Sequence, residues 1–494
     1  NALPLSLERQ PYYSIPSLFT LLDDSAMEAA GIVSALQTPA LSNMGSGVII
    51  GIVDTGIDYT SPVFRKSDGT TRILGLWDQT LPEDPSVLPP GVPEYYPMGG
   101  ASYGTEFTHE EINEALTLED PFSLVPSKDT DGHGTFLAGL AAGTAFPLQN
   151  FTGAAPMADL AIVKLKPAKK YLRDYYLISE DTPAFQENDI MMGMDFAVRI
   201  ANDRRMPLSL CLGIGSSQGA HIGKNPLSLY VDYISQYSLI SVSVAAGNEG
   251  AARHHYAGRL TERENQALAE LRVGNKEPGF TMEFWGEPPE IYNLSLQSPT
   301  GEILDISASL GAVTQELSFV FVETRVKVNY VSIERQTGYT LVYFQFIQPV
   351  PGIWRIFVRG RDGQNVGFHM WLPVQGLISE ETYFLEPSPY NTVTAPGDSL
   401  ESITVTAYQY RDNSLYVQAS RGFMPDGNVV PQVAAPGVQI RVPLLNGLYG
   451  NASGTSLSAA QTAGAAALLF EWAVIRGNQP YFTGSSVKNY ITRG

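Results

Sequence analysis

Four polar residues of types that could together hydrolyse an acyl bond lie far apart in this sequence: Asp54, His133, Asn248 and Ser456. A serine hydroxyl is a poor nucleophile at neutral pH and becomes reactive when an adjacent base takes its proton. A histidine can be that base, and a carboxylate can hold the second ring N–H of the histidine. An amide N–H can stabilise the oxyanion that forms during acyl transfer.

Ser456 lies at the start of a segment typical of a buried helix. A Gly-Thr-Ser sequence at residues 454–456 runs into small and apolar residues as far as Phe470, with no proline and no β-branched run. We therefore expect Thr455 and Ser456 in the first helical turn, where backbone N–H groups have no intrahelical partner. The alternative is that these two hydroxyls only cap the helix, which is the commoner use of serine at such a place.

The other three residues also stand at the ends of predicted elements. The apolar, β-branched run at residues 47–54 indicates a buried parallel strand with Asp54 at its carboxyl end. His133 lies between two glycines directly before a small-residue helix, and a strand at residues 241–245 leads to Asn248. Open α/β sheets gather their sites at the carboxyl ends of strands, so we expect these side chains to converge.

Each of these residues has an alternative role. Asp54 could form a turn or bind a metal, and Asn248 could be a left-handed turn residue. The pair His254 and His255 is interpreted as a surface or groove feature, and no carboxylate–histidine spacing indicates zinc, so no metal ligand is predicted. Only His133 is framed by glycines before a small-residue helix; the other histidines are His109, His221, His254, His255 and His369.

Composition limits the class of protein. A chain of 494 residues exceeds what one compact core usually supports, so a large domain with a smaller one is expected. The formal net charge of −19 argues against nucleic acids and anionic membranes as partners, and no apolar run is long enough to predict a membrane span. The single cysteine, Cys211, excludes an intrachain disulfide; we expect it to be a small buried residue near the site.

Four of these motifs resemble those of the subtilisin family of serine proteases (peptidase S8). They are Asp-Thr-Gly at 54–56, Gly-His-Gly-Thr at 132–135, Ala-Gly-Asn at 246–248 and Gly-Thr-Ser at 454–456. Their order in the chain, acid, then histidine, then serine, is also that of the family. The stretches at residues 76–80 and 103–108 are further similar to clostridial Csp-type subtilases.

The resemblance implies a fold class and a set of site residues. The fold would be α/β, a subtilisin-like parallel sheet with helices on both faces, plus an inserted β-sandwich of jelly-roll type. The catalytic residues would be Asp54, His133 and Ser456, with Asn248 and the Ser456 backbone N–H as the oxyanion hole. An extended peptide would pair with the groove as an added strand. The groove residues would be Leu212, Gly213, Ile214, Ala245, Ala246 and Gly247.

The resemblance also implies cofactors, partners and a role. No cofactor would be required, although structural calcium is common in the family; its ligands are not identified here. Partners would be a protein or peptide substrate and a cleaved pro-domain, with no nucleic acid and no membrane span. Csp-type relatives act in spore germination, which suggests activation of a germination hydrolase and a bacterial protein that is secreted or associated with spores. The sequence itself does not identify the compartment or the oligomeric state.

The predicted domain organisation has three parts. Residues 1–46 would be the leader of a mature chain, cut by the enzyme itself from its pro-domain ahead of Asn1, with short outer helices near 15–20 and 27–33. Residues 47–275 and 376–494 would form the protease domain, carrying a surface insertion at about 80–127. Residues 276–375 would form the inserted β-sandwich, because short apolar strands there alternate with Gly/Pro turns.

Three functions fit these patterns. The first is an active serine endopeptidase. The second is a pseudoprotease that binds a partner through the same groove, and the third is a glycan-binding scaffold led by the β-sandwich. The intact set of Asp54, His133 and Ser456 favours the first over the second. The β region contains Tyr330, Trp354 and Trp371 but no clustered acidic and aromatic platform for sugars, which disfavours the third.

Overall fold

The computed structural model describes residues 5–7, 10–21, 43–82, 103–146, 149, 151–308 and 313–493. Within these ranges a mostly parallel sheet is interrupted in sequence by antiparallel strands. The strands before the interruption are β1 (Leu18–Leu21), β2 (Ile49–Asp54), β3 (Ile73–Asp78), β4 (Thr105–Thr108), β5 (Asp159–Lys164), β6 (Phe185–Gln186), β7 (Leu208–Leu212), β8 (Ile214–Gly215) and β9 (Ile240–Ala245).

Eleven antiparallel strands follow, and we call them together the β insert. They are β10 (His255–Leu260), β11 (Gln266–Val273), β12 (Gly279–Gly286), β13 (Tyr292–Gln297), β14 (Ile303–Ile306), β15 (Val313–Ser318), β16 (Arg325–Val331), β17 (Thr340–Ile347), β18 (Gly352–Gly360), β19 (Val366–Trp371) and β20 (Tyr383–Phe384).

The chain then returns to the main sheet. The last strands are β21 (Ile403–Gln409), β22 (Ser414–Leu415), β23 (Val433–Pro436), β24 (Ile440–Pro443) and β25 (Tyr449–Ala452). The α-helices are α1 (His109–Ala115), α2 (His133–Ala142), α3 (Lys170–Tyr176), α4 (Glu187–Arg204), α5 (Pro226–Ser235), α6 (Thr455–Phe470) and α7 (Gly484–Thr492).

The main sheet has the order β22-β21-β9-β7-β2-β5-β3-β4, with β23 beside β21. Its central strands β21, β9, β7, β2, β5 and β3 all run parallel, while the edge strands β4 and β22 are antiparallel. Every residue of β2, β7 and β9 is buried, as the apolar runs predict for strands covered on both faces.

Helices cover both faces of this sheet. Residues of α2 and α6 pack with Ile50 and Ile52 of β2 in one core, and residues of α4 and α5 pack with Ile49 and Val53 in another. Consecutive strand residues point to opposite faces, so β2 contributes alternately to the two cores. The parallel α/β fold class predicted from the sequence is confirmed.

The β insert consists of two antiparallel sheets, one of six strands and one of five, around a shared apolar core. These sheets are consistent with the predicted inserted sandwich. The short apolar strands expected in residues 276–375 include the run Phe-Val-Phe-Val at 319–322, and that strand is wrong: the run lies between β15 and β16, where Val320 and Phe321 are exposed. Apolar composition alone suggested a strand there, but the segment turns from one strand into the next.

The prediction of an outer helix at residues 15–20 is also wrong. Leu18–Leu21 form strand β1, in which Leu18 and Phe19 are fully buried, and β1 lies between β6 and β8 in a separate three-stranded sheet. The partners of β1 lie more than 160 residues away, so local periodicity could not predict the pairing. The second predicted leader helix, at 27–33, lies outside the described residues.

The predicted surface insertion at about 80–127 is described only in part, because residues 83–102 lie outside the described ranges. The described part adds β4 to the edge of the main sheet and then forms the short helix α1. Thr108 begins α1 with a capping box to Glu111, which satisfies backbone groups at the helix start. The domain boundaries stay predictions.

One helix in the described ranges, Thr455–Ile475, is long and apolar enough to cross a membrane by length and composition. The sequence analysis had identified no such run. Most of its apolar window is buried inside the protein, against the main sheet and α2, as is usual for the core helix of a globular domain.

Candidate active site

Asp54 and His133 form a buried pair at the carboxyl edge of the main sheet. Asp54 is the last residue of β2 and His133 the first of α2. The Nδ1 of His133 lies 2.7 Å from Oδ1 of Asp54, so the ring N–H donates to the carboxylate. The same oxygen accepts the Thr55 backbone N–H at 2.7 Å. This contact orients the imidazole and presents its other nitrogen away from β2.

The start of α2 is fixed by side chains that the sequence analysis did not assign. Asp129 accepts the backbone N–H groups of Gly132 and Thr135, at 2.9 and 3.0 Å, and the Thr135 hydroxyl at 2.6 Å. Thr55 accepts the Gly134 N–H at 2.8 Å and so ties β2 to the helix. A Cβ at Gly134 would lie 2.2 Å from the Gly56 carbonyl oxygen, so glycine is required for this approach.

Ser456 lies in the first turn of α6, as predicted, and is fully buried. The N-cap residue is Gly454, which has no side chain, and the Ser456 hydroxyl caps no backbone group, so the capping alternative is wrong for Ser456. Its Oγ has no hydrogen-bond partner among the residues that the structure describes. A Cβ built on Gly213 would lie 3.0 Å from Cε1 of His133 and 3.2 Å from Cβ of Ser456, so both side chains lie against Gly213.

Asn248 follows β9 and is held by the start of helix α6. Its side-chain Oδ1 accepts both the backbone N–H and the hydroxyl of Thr455, each at 3.2 Å. The Thr455 hydroxyl in turn accepts the Gly247 N–H at 3.1 Å. Because Oδ1 faces Thr455, the amide N–H₂ of Asn248 points the other way, as an oxyanion donor requires.

The predicted groove residues lie at two strand ends beside this site. Leu212, Gly213 and Ile214 lead from β7 into β8. Ala245 ends β9, and Ala246 and Gly247 follow it; all six residues are buried. Gly247 has φ of 103° and a Cβ there would lie 2.6 Å from the Thr394 hydroxyl oxygen, so this position favours glycine. β8 is paired with β1, antiparallel, through Thr20↔Gly215 and Leu21↔Ile214.

Cys211 lies on β7 and is buried, as predicted. Burial, together with the nearby Asp54 charge, raises the pKa of its thiol, so the thiolate is disfavoured. His254 and His255 are also buried, which corrects the surface interpretation; they lie where the β insert leaves the main body. Across the described ranges, no group of three or more His, Cys, Asp or Glu residues could hold a metal ion. Structural calcium therefore stays a prediction without an identified site.

The sequence analysis missed the residues that hold the site together. Thr55 and Thr455 lie inside the quoted motifs and Asp129 lies three residues before one of them, so closeness in sequence to the candidate residues was the signal that could have identified them. Gln375 also holds the loop that carries Asn248, through contacts with Asn248 and with Glu249. Glu249 is next to Asn248 in sequence, but Gln375 is not, so no sequence signal pointed to it.

Comparison with known proteins agrees with this geometry. The sequence model of the Subtilase family matches residues 45–274 and 385–493. The solved CspB protease of Clostridium perfringens is similar with a TM-score of 0.80 and 29% identity, covering 94% of this chain and 90% of that chain.

Curated plant proteins are similar over shorter shares of their length. The subtilisin-like protease SBT3 of Solanum lycopersicum is 25% identical over 476 residues, which are 87% of this chain and 55% of that protein. SBT3.6 of Arabidopsis thaliana is 28% identical over 180 residues, 35% of this chain and 21% of that protein. The chain thus spans between a fifth and about half of these curated relatives. The resemblance to Csp-type subtilases is confirmed, and the chain belongs to the subtilase family.

Proposed function

We propose that this protein is a serine endopeptidase that hydrolyses peptide bonds of proteins with Asp54, His133 and Ser456. The Ser456 hydroxyl adds to the substrate carbonyl carbon while its proton passes to His133. The imidazolium, held by Asp54, then gives that proton to the leaving amine as the C–N bond breaks. A water molecule then attacks the acyl-enzyme while its proton passes to His133. His133 returns that proton to Oγ of Ser456 as the ester bond breaks, which releases the carboxylic acid.

The observation that carries this proposal is the meeting of three distant side chains at one sheet edge. The 2.7 Å contact between His133 and Asp54 supplies an oriented base, and Ser456 lies against the same glycine, Gly213, as that base. The amide of Asn248 and the first turn of α6 supply donors for the oxyanion. A pseudoprotease, which only binds a partner, would not need an acid, a base, a hydroxyl and oxyanion donors placed together in this way.

The position of β1 supports peptides as the substrate class. Thr20 and Leu21 of β1 add to the edge of β8 by antiparallel backbone pairing, as an extended peptide would. Residues 20 and 21 pair with 215 and then 214, so the chain direction of β1 leads toward Gly213 and the nucleophile. This is the direction in which the acyl side of a substrate would run.

The test is turnover of a peptide library by the wild-type chain and by Ser456→Ala, with Ser458→Ala as the matched control. Ser458 lies on the same helix, but its hydroxyl bonds to main-chain oxygens at residues 435 and 436. We expect cleavage by the wild type and by Ser458→Ala, and none by Ser456→Ala. Undiminished turnover by Ser456→Ala would refute the proposal.

Self-processing is part of the proposal. The expected cut ahead of Asn1 stays a prediction, and the direction of β1 favours a second cut C-terminal to Leu21. Intact mass and N-terminal sequencing of the purified wild type should then show a new terminus after residue 21 that is missing from Ser456→Ala. The same new terminus in Ser456→Ala purified without other proteases would contradict self-processing. A germination role rests on family resemblance alone and stays a prediction.

A further inference from the structure

Residues 246–250, which we call the oxyanion loop, are held on one side by the main body. Thr455 bonds to Gly247 and Asn248, as described above. The segment after β22 adds two contacts: Ser420 Oγ accepts the Glu249 N–H at 3.0 Å, and the Gln418 carbonyl accepts the Gly250 N–H at 2.8 Å.

The opposite side of the loop is held from the β insert. The side-chain amide of Gln375 donates to the Asn248 carbonyl oxygen at 2.8 Å, and its backbone N–H donates to Oε1 of Glu249 at 2.9 Å. The other oxygen of Glu249 accepts from Nδ1 of His254 at 2.8 Å. Glu249 and His254 are each about 95% buried, so these contacts are shielded from water.

His254 and Gln375 lie at the neck, where the chain enters and leaves the main part of the β insert. His254 directly precedes β10, and Gln375 follows β19 by four residues. β10 and β19 pair antiparallel from His255↔Trp371, and the Leu372 N–H donates to the His254 carbonyl at 2.9 Å. The first and last insert strands of this sheet therefore present one residue each to the oxyanion loop.

These contacts bear on catalysis because an oxyanion hole stabilises charge only when its donors are already in place. The Asn248 carbonyl belongs to the peptide that follows the Asn248 side chain. Holding that carbonyl fixes the backbone rotation on which the direction of the amide depends. Thr455 holds the side-chain oxygen of Asn248, and Gln375 holds its backbone carbonyl oxygen.

We infer that Gln375 is a positioning residue for the oxyanion hole, and that the neck of the β insert thereby sets the turnover rate. This inference rests on the proposed endopeptidase function. Gln375 touches no reacting atom; it acts by holding Asn248. The β insert is then part of the catalytic apparatus and not a separate binding module.

The test is Gln375→Met, which keeps the side-chain length and the backbone contact to Glu249 but removes the amide donor. The matched control is Gln345→Met. Gln345 lies on β17 of the same insert, and its amide donates to the Tyr175 carbonyl at 2.6 Å in the main body, away from the oxyanion loop. Both variants lose one insert-to-body hydrogen bond, so comparable stability losses are expected.

We expect Gln375→Met to lower kcat about tenfold with KM unchanged, because a mispositioned donor stabilises only the transition state less well. Affinity for a peptide aldehyde, whose adduct places an oxyanion in the hole, should fall by a similar factor. Affinity for the same peptide ending in a neutral primary amide, which carries no oxyanion, should not change. Gln345→Met should retain the wild-type kcat and aldehyde affinity.

A double variant separates positioning from general destabilisation. Once Asn248→Ala has removed the amide, Gln375→Met should cost less than about twofold more, because the two residues act as one unit. A full tenfold further loss in that background, or equal kcat values for Gln375→Met and Gln345→Met, would overturn the inference. A wild type that cleaves no peptide would refute the proposed function itself, and the inference with it.

Discussion

Gly213→Ala places one methyl group between the two side chains whose proximity the mechanism requires. The added Cβ would lie 2.6 Å from Cδ1 of Leu137, 3.0 Å from Cε1 of His133 and 3.2 Å from Cβ of Ser456. The Leu137 methyl is the end of a flexible side chain and can rotate away. The imidazole has less freedom, because Asp54 holds it at 2.7 Å and Phe136 packs against its ring.

The expected loss follows from these distances. Ordinary carbon contacts begin near ~3.5 Å, so the ring must shift by several tenths of an ångström or the backbone must move. A displacement on the order of 1 Å between reacting groups can cost about 10²-fold in rate. We therefore expect kcat to fall between about 10- and 100-fold. Overpacking should also cost about 1–3 kcal/mol in the free energy of unfolding.

The assay must separate these two effects, and Gly193→Ala is the matched control. Gly193 lies on α4, where an added Cβ would meet Cγ1 of Val53 at 2.7 Å on the far face of β2. Both variants should lose thermal stability, but only Gly213→Ala should lose peptide turnover and fluorophosphonate labelling below its melting temperature. Wild-type kcat in a folded Gly213→Ala protein would refute the arrangement of His133 and Ser456 described here.

Two other predictions concern the oxyanion hole and acid stability. Asn248→Ala should lower kcat about 10²–10³-fold with little change in KM, the size found for the corresponding donor in a subtilisin; steady-state kinetics that show KM alone affected would contradict this role. Burial, together with the His221 charge, lowers the pKa of His369 to about 4, and burial also lowers the pKa of His255, whose Nε2 lies 2.9 Å from Nδ1 of His369. In the unfolded chain His369 binds its proton near pH ~6.5, whereas the folded protein keeps it neutral down to about pH 4. The free energy of unfolding is therefore unaffected by His369 above pH ~6.5, and it decreases as the pH falls from there toward 4. Between pH 7 and pH 5 His369 should cost on the order of 2 kcal/mol of unfolding free energy, measured by urea denaturation, and His369→Phe should remove that part of the loss. An unchanged pH dependence in His369→Phe would show that His369 is not buried in its neutral form.

Sequence patterns predicted the parts of this protein whose structure is set locally. The apolar run before Asp54 specified a buried strand, and the small residues after Ser456 specified a helix that packs closely. Gly464 shows why small residues were needed, since a Cβ there would lie 2.4 Å from Cβ of Ala154. The motifs at strand ends then predicted which side chains converge.

The features that depend on distant partners were not predictable in this way. β1 is a strand because its backbone pairs with β6 on one side and with β8 on the other. A four-residue segment is too short for its hydrophobic periodicity to predict such pairing. Val320 and Phe321 have strand-forming side chains, yet the β insert leaves them exposed at a turn. Gln375 acquires its contact with Asn248 only when the two ends of the β insert meet at the neck.

The central claim is that Ser456 is a nucleophile activated by His133, and adduct mapping tests it most directly. A fluorophosphonate should form one Oγ–P bond with loss of fluoride, and peptide mass spectrometry of the folded protein should place the adduct on Ser456. The unfolded protein and a folded His133→Ala variant should acquire almost none. An adduct on another residue, or equal labelling of His133→Ala, would contradict the account.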